Sequence, residues 1–201
     1  GILFWRQLTQ WYGGMGIIVL AVTVLPSLGV GGLQLMTAES PGHESDKLRA
    51  RSIDTAKSLW LVYFGVTITI ALLLWATPNV GLYDAVAHGL STAAIGGFST
   101  KNGSIGSFDS YIVELIIVFG MFVGAMNYNL QYKFWKSKGN FRVFSHSSEW
   151  KLYVRITLSF IGVIFLMNWL MESVDVGTAF RDSLFNVVTL ASSTGFGNCL
   201  L

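Results

Sequence analysis

Two short stretches of this 201-residue chain set a glycine before a phenylalanine: Ile95-Gly96-Gly97-Phe98 and Ser193-Thr194-Gly195-Phe196. What they offer chemically is main-chain carbonyls. Carbonyls turned toward a common axis replace the hydration shell of a cation and form a selectivity filter. An extended run of that kind calls for positive φ, which suits glycine at 97 and 195. Nucleophilic catalysis is the competing chemistry, because Ser91 lies three residues from His88. The two share one short helix, and His43 and His146 fall in distant segments, so no base is placed to activate Ser91 and no enzyme is expected. One cysteine, Cys199, excludes a disulfide framework and a cysteine-based zinc site.

The two stretches belong to a longer match. A shift of 98 residues lays 84–98 over 182–196 without a gap, with identities Asp84/Asp182, Ala93/Ala191, Gly97/Gly195 and Phe98/Phe196. Ser91 meets Thr189 in the same register. Each stretch also follows a long apolar segment that is itself preceded by a basic one.

The elements that must carry these turns are set by composition. The chain is 52% hydrophobic and 12% charged, where soluble chains carry roughly 25% charged residues. Its solvent is therefore expected to be a lipid bilayer. The 22 glycines suit close helix packing there. A net charge of +2 without a Lys/Arg stripe argues against a nucleic-acid partner.

Residues 7–38, 58–83, 115–132 and 156–171 contain no Asp, Glu, Lys or Arg. A helix needs about 20 apolar residues to cross ~30 Å of hydrocarbon. Four spans are expected, near 13–33, 58–77, 111–132 and 151–171, with Pro26 kinking the first. The stretches 85–100 and 183–201 are too short to cross before their Gly-rich turns. They read as re-entrant helices, with Asp84 and Asp182 as N-caps. The irregular backbone beyond them is tolerated only when buried in protein or lining a water-filled cavity. A short helix that enters from outside brings its partly negative C-terminal end toward the membrane centre.

Ten of the thirteen basic residues lie in two segments, Lys47 to Lys57 and Lys133 to Arg155. The positive-inside rule puts both in the cytoplasm and opens both turns outward. The outer side then holds three basic residues against six acids: Asp84, Asp109, Glu114, Glu172, Asp175 and Asp182. An electronegative mouth that gathers cations is expected. Glu114 reads as a satisfied interfacial acid, His88 as packing behind the turn, and Asn127 as hydrogen bonding between helices or lining a pore. All seven tryptophans fall near expected span ends, as in an aromatic belt.

The expected organisation is a closing transmembrane helix of one repeat at 1–33 and a cytoplasmic loop at 34–57. A complete second repeat follows at 58–132, with its re-entrant helix and turn at 84–100. A second cytoplasmic loop at 133–150 leads to the first part of a third repeat at 151–201, whose re-entrant helix and turn occupy 182–198. The chain opens Gly-Ile-Leu rather than with Met and reads as a piece of something longer.

Several segments resemble the Trk/Ktr/HKT superfamily of cation transporters, and within it the TrkH family of bacterial potassium-uptake subunits. They are Phe4-Trp5-Arg6-Gln7 with Gln10-Trp11-Tyr12-Gly13-Gly14, Ala38-Glu39-Ser40-Pro41-Gly42, and Leu90-Ser91-Thr92 through Gly96-Gly97-Phe98-Ser99-Thr100. Gly124-Ala125-Met126-Asn127-Tyr128 and Ser193-Thr194-Gly195-Phe196-Gly197 complete the set. The resemblance implies an all-α integral membrane fold of repeated helix–pore-loop–helix units, potassium-channel-like, with four repeats around one pore. It implies potassium held by the backbone carbonyls of Ile95, Gly96, Gly97, Ser193, Thr194 and Gly195, and no organic cofactor. Ile95 stands where many members carry Thr, so a side-chain hydroxyl role is lost there while the carbonyl remains. A multi-pass location in the bacterial inner membrane, a homodimer and a cytosolic nucleotide-binding regulator of TrkA type, docked on 34–57 and 133–155, are also implied. The alternatives are a sodium-permeable relative, distinguished by a first filter outside these residues, and a non-transporting membrane scaffold.

Overall fold

In a computed structural model of the chain, residues 1–24, 43–171 and 175–198 are described, and every regular element among them is helical. The first helix, α1, runs Ile2–Val24. It starts well before the span expected at 13–33, and Phe4, Gln7, Leu8 and Trp11 turn one face of its first residues against the rest of the chain. Pro26 and the remainder of that span lie outside the described residues. The next helix, α2, covers His43–Trp75. Part of the expected 34–57 loop is thus helix, and residues 34–42 lie outside the described residues. Within α2, Ala56–Trp75 is long and apolar enough to cross a membrane.

A short helix, α3, follows at Leu82–Ala93. A 3-10 turn at Ser104–Phe108 then leads to α4, Tyr111–Gly124. The span expected at 111–132 is broken rather than one straight helix. The chain bends by 97° between α4 and α5, Tyr128–Lys136. No charged residue interrupts 115–132, so charge-free length does not reveal the bend; hydrogen bonds to polar side chains stabilise it. Gln131, buried beside the bend, donates from Nε2 to the carbonyls of Val123 (2.8 Å) and Met126 (3.3 Å) at the end of the broken helix. Asn127 caps α5, its Oδ1 accepting from the Asn129 N–H at 2.9 Å.

A single turn, α6 (Arg142–Ser145), precedes α7, Ser148–Met171, the second segment able to cross a membrane. The Ser147 hydroxyl accepts from the Trp150 N–H at 3.3 Å and starts α7 three residues before its expected boundary. The last helix is α8, Val176–Ala191. At 1.5 Å per residue, the 12 residues of α3 cover about 18 Å and the 16 of α8 about 24 Å, both short of a bilayer.

Apolar burial contributes little between helices surrounded by lipid, so close packing and polar links carry the association. Gly89 of α3 meets α2 closely enough that a Cβ there would sit 2.9 Å from the Ala71 methyl. Ile70, Val113, Ile117, Met121, Phe185 and Phe196 form a core shared by α2, α4 and α8. A smaller cluster joins Trp11, Tyr63, Leu90 and Ala93. Trp11 is buried there, donating from Nε1 to the Thr67 hydroxyl (2.9 Å), so it does not belong to an interfacial belt. Trp5, Trp60, Trp75, Trp135 and Trp169 are exposed.

Candidate functional site

Both short helices end in the same way. At the end of α3 the Gly96 N–H donates to the Ser91 carbonyl (2.7 Å) and the Ile95 N–H to the Thr92 carbonyl (3.0 Å). At the end of α8 the Thr194 N–H donates to Thr189 and the Ser193 N–H to Leu190, both at 2.9 Å. Each pair is a Schellman motif, and every residue in the second lies 98 positions after its counterpart. The left-handed residue of that motif is usually glycine, but here it is Ile95 (φ 55°) and Ser193 (φ 60°). Positive φ recurs two residues later at Gly97 (φ 68°) and Gly195 (φ 87°). The sequence pointed to the glycines alone. A β-branched residue at φ > 0 is a genuine outlier that costs about 1–3 kcal/mol and needs its surroundings to hold it.

The hydroxyls at the matched positions 91 and 189 tie down the chain beyond. Ser91 Oγ accepts from the Phe98 N–H (3.0 Å). Thr189 Oγ1 accepts from the Gly195 N–H and donates to the Phe196 carbonyl, both at 3.1 Å. Asp84 and Asp182 cap neither helix. The N-cap of α3 is Gly81, and that of α8 is Asp175, whose carboxylate accepts from the Gly177 N–H. Both helices begin earlier than expected, which places Asp84 in a first turn and Asp182 inside α8. There the two acids reach forward sixteen residues instead. Asp84 accepts from the Thr100 hydroxyl (2.5 Å) and Asp182 from the Asn198 amide (2.9 Å).

Two of the six acids expected at the electronegative mouth are held in ion pairs. Lys101 pairs with Asp84 at 3.2 Å, and Arg181 grips Glu114 through two bonds of 2.7 and 2.5 Å. The cavity of about 320 Å³ beside the turns is bordered by Arg6 and Lys101 together with Gly97, Phe98, Gly195 and Gly197. His88 is buried behind the first turn. Its Nδ1 lies 2.7 Å from the Asp84 carbonyl, which only accepts, so Nδ1 carries the proton and Nε2 accepts from the Ser99 hydroxyl at 2.8 Å. Its partner is therefore Ser99, not Ser91.

The two turns meet. A Cβ built on Gly97 would collide with the carbonyl oxygen of Thr194, 2.9 Å from that carbonyl's carbon and 3.0 Å from the carbonyl carbon of Gly195. Gly195 faces open space on its own side. The 3-10 turn adds a second link, with the N–H groups of Ile105 and Gly106 donating to the Gly197 carbonyl at 3.0 and 3.3 Å. Among the described residues the carbonyls of Ile95, Gly97, Ser193, Thr194 and Gly195 accept no hydrogen bond. The Gly96 carbonyl does, from Gln10 Nε2 at 3.2 Å. Sequence reasoning did not connect Arg6, Gln7 and Gln10 of α1 with the turn. The available signal was a polar trio at spacing i, i+1, i+4 in a segment rich in apolar residues. Asn127 is exposed at the α4–α5 bend, its Nδ2 donating to Glu149 at 3.2 Å.

A family model described as TrkH, cation transport protein, matches residues 1–199. The chain is 41% identical over 197 residues to the Trk system potassium uptake protein TrkH of Salmonella typhimurium, covering 97% of this chain and 40% of that protein. It is 35% identical over 196 residues to Trk system potassium uptake protein TrkG of Escherichia coli, covering 96% of this chain and 40% of that protein. The crystal structure of the potassium transporter TrkH from Vibrio parahaemolyticus superposes with a TM-score of 0.83 at 36% identity, over 98% of this chain and 39% of that one. The chain thus spans about two fifths of the length of these relatives, and it belongs to the TrkH family of membrane cation transporters, which are not enzymes.

Proposed function

We propose that this chain supplies two adjoining filter segments of a potassium-uptake pore in the bacterial inner membrane. The observation that carries the reading is the apposition of Gly97 with the Thr194–Gly195 backbone. Two helix ends of identical hydrogen-bonding pattern meet there and leave a group of carbonyls without protein donors. Such oxygens take the place of water around a dehydrated cation. Ile95, Gly96, Gly97, Ser193, Thr194 and Gly195 are the ligands in this reading, and potassium is the cargo rather than a resident cofactor. The short helices add the partial negative charge of their C-termini.

The chain then divides into the end of one repeat, a complete second repeat at 58–132 and the beginning of a third at 151–201. Four repeats complete the ring in the full-length parent. A homodimer and a cytosolic nucleotide-binding regulator of TrkA type, docking on the basic residues between 133 and 155, belong to the same proposal. The names of the relatives support potassium as the ion.

The test is cation uptake by a potassium-transport-deficient bacterium that carries the full-length parent. Replacing Gly97 or Gly195 by a bulkier residue is expected to abolish uptake or its preference for potassium while the protein still reaches the membrane. Unchanged uptake and selectivity in both variants overturn the filter assignment. A wild-type parent that carries sodium as readily as potassium moves the chain to the sodium-permeable branch.

A further inference from the structure

Three polar side chains on one face of α1 bond three carbonyls of the first turn, in antiparallel order. The Gln10 amide donates to Gly96 at 3.2 Å, the Gln7 amide to Phe98 at 3.2 Å, and the Arg6 guanidinium to Ser99 at 3.1 Å. Gln7 is fully buried, and Arg6 also lies over the Phe98 ring, 4.3 Å from its centre. The amide oxygens of Gln7 and Gln10 are buried and meet no donor. Burial without a partner is costly for a polar atom, so both amides give up one bond in order to present nitrogen to the turn. Gly96 is shaped around this contact. A Cβ there would lie 2.5 Å from Gln10 Nε2 and closer still to the other amide atoms. The first glycine of the Gly-Gly pair therefore makes room for Gln10, whereas the second turns the chain and meets Thr194.

The second turn is held differently. The same register carried one position further sets Ser99 against Gly197, and the side chain that meets Gly197 is that of Ser104. Ser104 Oγ accepts from the Gly197 N–H at 3.2 Å, and main-chain N–H groups bind the Gly197 carbonyl. Among the described residues no side chain donates to the Thr194 carbonyl, the counterpart of Gly96. Among the described residues, one turn has its carbonyls clamped by side chains of a neighbouring helix and the other does not.

We infer that Gln10 and Gln7, supported by Arg6, are positioning residues that set ion discrimination at the first turn. This rests on the filter reading above. A carbonyl oxygen has two lone pairs, so Gly96 can accept from Gln10 and still face an ion. The bond fixes the direction of that oxygen and withdraws part of its negative charge. Without the donor the oxygen is freer and more strongly negative, and a stronger field favours the smaller sodium ion.

The experiment measures the potassium-to-sodium permeability ratio of the full-length parent bearing Gln10→Leu, Gln10→Met or Gln7→Leu, with Gly97→Ala alongside. The ratio does not depend on how much protein folds, so a purely structural role leaves it unmoved; Gln10→Met, close to glutamine in shape, serves if Gln10→Leu fails to assemble. Loss of one neutral hydrogen bond predicts a fall of about threefold to tenfold in the ratio. Ratios unchanged in all the glutamine variants, while Gly97→Ala alters its own, overturn the clamp and leave the filter reading standing. If Gly97→Ala is unchanged as well, the filter reading fails and takes the clamp with it.

Discussion

Gly97 lies against Thr194 so closely that one added methyl group would collide with the Thr194 carbonyl. The 98-residue repeat therefore does more than duplicate a turn, because it brings the two copies into backbone contact.

The two glycines are not equivalent under substitution. Gly97→Ala meets both a positive φ of 68° and the facing chain, so it must displace one turn or the other. Gly195→Ala meets φ 87° but open space. A left-handed non-glycine residue costs about 1–2 kcal/mol, and only Gly97→Ala adds a backbone collision. Uptake by the full-length parent should fall further, and lose more of its preference for potassium, in Gly97→Ala than in Gly195→Ala. Equal loss in both would contradict the asymmetry.

Ser193 offers the opposite test, because its side chain is exposed and its φ of 60° suits glycine better than serine. Ser193→Gly removes left-handed strain at the expense of chain entropy in the unfolded state. The net expectation is a gain of up to about 1 kcal/mol. Thermal unfolding of the detergent-solubilised parent should shift upward by a few degrees, with the Thr194 carbonyl left in place. A downward shift would mean that the serine is held by something other than the helix-end geometry.

Hydropathy exposed the two helices long and apolar enough to cross a bilayer and the two shorter ones that are not, since charge-free length is a direct requirement of such a solvent. The pairing of the two turns was also legible, because a repeated sequence in a repeated setting folds alike. The α4–α5 bend was not. It contains no proline, and the hydrogen bonds from Gln131 that stabilise it come from beyond the break. The roles of Asp84 and Asp182 were misread for a related reason. An acid near a helix start suits capping, and only the fold reveals that Thr100 and Asn198 return to these two carboxylates. The α1 clamp joins residues 86 to 93 positions apart, which no local pattern encodes.

Orientation is open to a direct check. Asn102 follows the first turn and Lys138 follows α5, and both are exposed. In a parent freed of its native cysteines, Cys199 among them, Asn102→Cys should react with a membrane-impermeant thiol reagent on intact spheroplasts. Lys138→Cys should react only after permeabilisation. The reverse pattern would invert the expected topology and place the turns on the cytoplasmic side.

The ion pair between Glu114 of α4 and Arg181 of α8 joins two helices that are far apart in the sequence. The Glu114 side chain is 3% exposed and the Arg181 side chain 34%. That difference makes the two single substitutions unequal. Arg181→Met strands a carboxylate inside the protein, where an uncompensated charge costs about 3 kcal/mol or more. Glu114→Gln leaves a guanidinium that water already reaches, and its loss should be nearer 1 kcal/mol. Removing both charges deletes the stranded group along with the pair, so the double variant should be more stable than Arg181→Met alone. Unfolding midpoints of the four full-length proteins in one detergent give the coupling directly. Additive losses, or a worse effect from Glu114→Gln than from Arg181→Met, would show that the pair does not hold α4 and α8 together.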